Sequence, residues 1–175
     1  MGTNEDQTTV MKAVPTPSEG TCELHYSPPP IDQVVASILE TKPPVVFMPH
    51  VETSTGIIHS DEYIKKIAEA VNSVDGLLVL DCIASGAIWI DMKALGVDLL
   101  ISAPQKGWSG PACCGIVMMN QKTKELMNAG PASSSFALDL NKWSGIMDAY
   151  EKGGFGYHTT MPTDALRAFN NVVNE

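Results

Sequence analysis

The chain has 175 residues, 44% of them hydrophobic, which is the length of one ordinary domain with enough apolar content for a real core. Its 20 acidic and 11 basic residues leave a formal charge of -9 with no cluster of Lys and Arg, which excludes nucleic acid as a partner because phosphate binding needs clustered cations. No apolar run approaches the roughly 20 residues needed to cross a bilayer, and Met1 is followed by polar residues rather than a signal-like apolar segment.

Residues 1–27 carry Thr, Asn, Glu, Pro and Gly without an apolar period, so they predict an irregular or disordered lead to a domain spanning 28–175. After Pro28, Pro29 and Pro30, the residues Ile31, Val34, Val35, Ile38 and Leu39 form the stripe of an amphipathic helix, with proline at its start. Pro43 and Pro44 end it. The run Val45 to Met48 is too short for a helix and predicts a strand buried on both faces. It leads into HVETSTG, residues 50–56.

A second helix begins after Ser60, placed as N-cap, with Ile64, Ile67, Ala68 and Val71 on one face. Leu77 to Leu80 is the next buried strand, and Asp81 stands at its carboxyl end. A helical turn near 91–95 and a third strand over 97–101 follow. This succession predicts an α/β fold with a mostly parallel sheet and helices on both faces. The fourth strand, 115–119, differs. Only a helix-free loop separates it from Ile101, whereas a parallel return requires a crossover, so it is expected to run antiparallel. Helices over 121–129, 140–151 and 162–173 complete the chain, with the glycine-rich GGFGYHTTMP between the last two.

In open α/β sheets ligands collect at the carboxyl ends of the strands. Three polar clusters fall there: 50–56, 81–85 and 102–107. Groups on adjacent or next-but-one strand ends are separated by about 5 to 10 Å, a span that fits one aromatic ring held at both ends. Lys106 is the sharpest candidate, since a lysine is captured as a Schiff base by the carbonyl of pyridoxal phosphate; its plain alternative is a solvated surface lysine. A carboxylate closing an apolar strand, as Asp81 does, calls for a cationic partner. A protonated pyridine nitrogen is one such partner, and a helix cap or a metal ligand are its alternatives.

Thr53, Ser54 and Thr55 are candidates for a ring hydroxyl or phosphate, or simple turn formers. His50 is a ring-contacting or structural histidine, Gln105 and Ser102 are phosphate donors or loop stabilisers, and Trp108 lines a substrate mouth or packs. The four cysteines, Cys22, Cys82, Cys113 and Cys114, have no zinc spacing and no C-x-x-C pair. They read as free thiols of a soluble protein in a cytoplasmic or other reducing compartment.

Taken together, HVETSTG, DCIAS and SAPQKGWSGPACCG at these intervals resemble the class V aminotransferase family, of pyridoxal-phosphate-dependent fold type I, and most closely its alanine–glyoxylate and serine–pyruvate branch. The resemblance implies pyridoxal 5′-phosphate as cofactor, with Asp81 on the pyridine nitrogen and Lys106 as its covalent anchor. It further implies Thr53 at the ring oxygen, Ile83 on the ring face and Gln105 at the phosphate. YHTTMP resembles a family segment whose Tyr and Thr reach the cofactor phosphate of a neighbouring subunit, so Tyr157 and Thr160 inherit that role and a homodimer with shared sites is implied.

The implied reaction is transamination between a small amino acid and a 2-oxo acid. The family's phosphate-cradling turn and ring-stacking aromatic are not recognisable before Pro28, and the one arginine of the chain is Arg167. The resemblance therefore implies the central part of a large domain, without the upstream part or the small C-terminal domain. Two alternatives stand beside transamination: a catalytically incomplete cofactor-binding fragment, and a cysteine desulfurase or lyase of the same fold. The second is disfavoured by Gln105, where that branch resembles a His-Lys pair.

Overall fold

The computed structural model describes residues 8–17, 20 and 24–175. Within the lead expected to be irregular, β1 (Val14–Thr16) pairs antiparallel with β2 (His25–Ser27), both exposed; Cys22 lies outside the described residues. Helix α1 (Ile31–Thr41) starts directly after Pro30 and ends where Lys42 turns left-handed, at φ 45°, its N–H capping Ile38 O. The prolines that follow cannot continue a helix.

The central sheet has the order β3 (Val45–Pro49), β6 (Leu77–Asp81), β7 (Leu99–Ser102), β8 (Ile116–Met119). Its first three strands are parallel, and β8 runs antiparallel to β7 with Ser102 opposite Ile116. This is the arrangement expected from the missing crossover helix. Helix α2 (Asp61–Ser73) joins β3 to β6 and is capped by Ser60, whose Oγ accepts from Tyr63 N, with Asp61 and Glu62 in its first turn. The short α3 (Met92–Leu95) joins β6 to β7 and is capped by Asp91.

One core holds the layers together. Val34 and Ile38 of α1 and Ile64, Ile67, Ala68 and Val71 of α2 pack against Met48, Leu78, Leu80 and Leu100. Because side chains alternate along a strand, the residues between these point to the other face of the sheet. There the expectation of a fully buried first strand fails: Phe47 is 74% exposed and Val45 is also exposed. A short apolar run looks the same whether one face or two are covered. β3 is the edge of the described sheet.

At the amino rim of the sheet, Asp98 is a buried tie that the sequence reading passed over. It is 2% exposed; its Oδ2 accepts from Leu78 N at 2.8 Å and its Oδ1 from Asn120 Nδ2 at 2.8 Å. Asn120 in turn caps α4 (Gln121–Ala129) through Thr123 N. Helix α4 is followed by α5 (Leu140–Glu151) and α6 (Thr163–Val173).

Candidate active site

Three segments leave the carboxyl ends of β3, β6 and β7 and are tied to one another. The first is a hairpin: β4 (Val51–Glu52) pairs with β5 (Ile57–Ile58), and the turn between them closes through Gly56 N donating to Glu52 O, with Gly56 at φ +69°. HVETSTG is thus a hairpin and its tip, where Thr53 and Ser54 are exposed. His50 N donates to Asp81 O at 2.8 Å, which carries the β3–β6 pairing past the strand end. The His50 ring is buried, with Nδ1 2.8 Å from Ser85 Oγ, so His50 joins the first segment to the second. Ser102 Oγ donates to Cys82 O at 3.2 Å and accepts from Trp108 Nε1 at 3.0 Å. The third segment is joined to the second in that way.

Glycine permits the closest of these approaches. A Cβ on Gly107 would strike the backbone N of Ala87 and lie 2.9 Å from the carbonyl carbon of Gly86, while one on Gly86 would come within 2.8 Å of Trp108 Nε1. The turn carrying Lys106 therefore rests against the turn that follows Asp81. Gly107→Ala is expected to destabilise the chain by about 2 kcal/mol, the cost of overpacking against backbone that has no side chain to move. The urea midpoint and the fluorescence of Trp108 report it together; an unchanged midpoint would mean that the two turns separate freely.

Asp81 closes β6 in register between Pro49 and Ile101. It is half-buried, and its Oδ1 accepts from Ile83 N at 2.9 Å while its second oxygen has no partner among the described residues. Lys106 is exposed, in a turn where its N donates to Ala103 O and its carbonyl accepts from Ser109 N. Its amine makes no ion pair or hydrogen bond among the described residues. Gln105 beside it is exposed and Ile83 half-buried. At the hairpin tip, the Oγ1 of Thr55 is buried without a partner among the described residues.

His50, Ser102 and Trp108 supply the ties between these segments. Trp108 also meets Trp89 and Phe169 edge-on. Cys82 is buried, and burial pushes its thiol up to about 11 despite a hydrogen bond with Ser85, which leaves it an inert thiol. Tyr157 and Thr160 make none of these ties among the described residues. They bond to each other at 3.1 Å and are both exposed, and Tyr157 lines an open cavity of about 510 Å³ with Phe136, Lys142 and His158. Ser85 and Gly107 fall within the polar clusters expected at 81–85 and 102–107 but carry no individual signal there, and Gly86 lies one residue beyond the first of them.

His50 and His59 both titrate below the ordinary 6.5. Burial is the main cause for each. It is opposed at His50 by Asp61, and at His59 by the carbonyls of His50 and Pro49 and by Glu52. The unfolded chain takes up these protons near pH 6.5 while the folded chain resists them, so the unfolded state binds more protons and stability falls as the pH drops below about 6.5. Urea midpoints at pH 7.5 and 5.5 are expected to show that loss, and His50→Gln to reduce it. Equal losses in both proteins would remove His50 from the account.

Residues 20–155 match the model of the family described as aminotransferase class V. The chain belongs to the class V aminotransferases. It is 33% identical over 128 residues to a 2-aminoethylphosphonate–pyruvate transaminase of Phocaeicola vulgatus, covering 72% of this chain and 33% of that one. A transaminase of the same name from Syntrophobacter fumaroxidans is 32% identical over 145 residues, 81% of this chain and 37% of its own. Among solved structures, the ureidoglycine–glyoxylate aminotransferase of Bacillus subtilis superposes with a TM-score of 0.72 at 26% identity, covering 82% of this chain and 36% of the other. An alanine–glyoxylate aminotransferase from Nostoc sp. shares the fold, with a TM-score of 0.71 at 24% identity over 82% of this chain and 37% of its own. The class V chain thus spans about a third of the length of the curated relatives it matches. Pyridoxal phosphate is the cofactor of this family, and the mixed sheet is that of fold type I. Among the described residues no helix is long and apolar enough to cross a membrane.

Proposed function

We propose that the carboxyl rim of this sheet is the cofactor half of a transaminase site, moving an amino group between a small amine or amino acid and a short 2-oxo acid. The observation that carries the reading is the packing of the Lys106 turn onto the turn after Asp81, with a carboxylate oxygen and an amine that have no other partner among the described residues. This donor set fits pyridoxal phosphate. Asp81 would hold the proton on the pyridine nitrogen, Lys106 the aldehyde carbon, Thr53 the ring oxygen, Ile83 one ring face and Gln105 the phosphate. When bound, the cofactor supplies an electron-accepting ring that stabilises the carbanion at the amino carbon.

The protein's part is then to position and to move protons. With the cofactor held there, Lys106 Nζ would be placed to take the proton from the substrate Cα and return it to the cofactor carbon on the far side of the amino nitrogen, two atoms along. Asp81, its Oδ1 held by Ile83 N, would be placed to keep the ring nitrogen charged. The names of the relatives and of the Bacillus structure share a short oxo acid, pyruvate or glyoxylate, and differ in the amine, which supports the acceptor class more than any one donor. Tyr157 and Thr160, exposed and bonded to each other, suit a role at the cofactor phosphate of a second copy in a homodimer.

The test is to incubate the chain with pyridoxal phosphate and pyruvate or glyoxylate, offering alanine, serine and 2-aminoethylphosphonate in turn. Visible cofactor absorbance and amino transfer from at least one donor are expected. Absorbance without transfer would leave a cofactor-binding fragment, and sulfide released from cysteine would move the assignment to a desulfurase. The absence of both absorbance and transfer would refute the site.

A further inference from the structure

Cys113 and Cys114 are adjacent in sequence, free and half-buried, with their sulfurs 3.8 Å apart. They lie between the Lys106 turn and β8, and Ile116, the first residue of β8, stands opposite Ser102 at the carboxyl rim. Two thiols side by side on a short connection have two ways to be joined. A direct disulfide is the worse one. Consecutive Cα atoms are about 3.8 Å apart, whereas disulfides ordinarily need about 4.4–6.8 Å, so the bond would be strained and easily reduced. A thiophilic atom that accepts both sulfurs joins them without drawing them to bonding distance.

We propose that Cys113 and Cys114 form a chelating dithiol site for trivalent arsenicals. The reaction balances without any oxidant: an organoarsenic oxide loses its As–O bonding, two S–H bonds break, two As–S bonds form, and the oxygen leaves with both protons as water. Arsenic remains trivalent. Burial and the neighbouring Cys113 push the Cys114 thiol up to about 11, so at neutral pH it is a protonated, poor nucleophile towards simple alkylating agents. The arsenical route suits such a thiol, since the oxide oxygen carries the protons away. Cys82 is 3% exposed and is not a competitor.

The probe is phenylarsine oxide added to the intact folded chain, followed by intact-mass and peptide-mass analysis. One adduct per chain, with water lost, is expected on the peptide containing both cysteines, which then resist maleimide. The adduct should persist in millimolar glutathione and be removed by 2,3-dimercaptopropanol. Cys113→Ser and Cys114→Ser each leave one sulfur, forfeit the intramolecular second bond and should weaken capture by about 10²–10⁴-fold, while Cys22→Ser and Cys82→Ser should not. Mapping the wild-type adduct needs no variant to fold. An adduct located elsewhere, removal by glutathione, or unchanged capture in either single variant would overturn the proposal.

Discussion

Lys106→Ala is expected to abolish covalent attachment of pyridoxal phosphate, read as the loss of the borohydride-fixed pyridoxyl group from the peptide containing residue 106. Transamination should fall by about 10³-fold, within the range that a positioned proton-transfer group supplies. The argument is one of geometry and substitution. The amine is on a turn held against the Asp81 segment by backbone contact and is not occupied by any carboxylate among the described residues. Lys106→Arg keeps the charge but neither forms the covalent bond nor gives up a proton readily, so it should behave like the alanine variant. Because Lys106 is exposed, neither change should alter the stability obtained from urea unfolding by more than about 0.5 kcal/mol. A pyridoxyl group found on another of the lysines, with Lys106→Ala still active, would displace Lys106 from the reaction.

The chain wrote down its elements plainly and its contacts poorly. Ser60 before an amphipathic stripe, Asp91 before a helical turn, and a helix-free loop ahead of Ile116 each carry a local physical signal, and the structure follows them to within a residue or two. Asp81 could be placed at a strand end for the same reason. What stayed hidden depends on partners distant in sequence. Nothing local to His50 points to Ser85, and nothing in VVFM tells whether a second layer covers Phe47. The lead, with Thr, Asn, Glu, Pro and Gly and no apolar period, carries no strand signal, and Pro15 within Val14–Thr16 is a residue that an exposed edge pair tolerates. HVETSTG gave a turn through Gly56, but the two-residue strands flanking it are too short to announce themselves. The same limit concealed Asp98, which reads as a single polar residue near the start of the third predicted strand, its partners Leu78 and Asn120 lying some twenty residues away on either side.

Asp98→Ala is expected to cost about 3 kcal/mol of stability. The carboxylate receives Leu78 N and Asn120 Nδ2, and Lys122 Nζ lies 3.8 Å away while donating to Asn72 Oδ1 and Gly76 O. Truncation leaves a buried amide N–H without an acceptor at the start of the central strand and releases the residue that caps α4. The ammonium contributes little of this, being 38% exposed, so Lys122→Met should cost under about 1 kcal/mol. Asp98→Asn keeps one acceptor for Leu78 N but sets an amide donor against the Asn120 donor, and should fall between the two. For a chain of this length, 3 kcal/mol corresponds to a melting point lower by about 6–12 °C, measurable by calorimetry. Asp98 sits at the amino rim, while Asp81 and Lys106 occupy the carboxyl rim, so cofactor capture by the folded fraction should be unchanged. A loss below about 1 kcal/mol for the alanine variant would show that backbone pairing, and not this carboxylate, fixes β6 against β7 and α4.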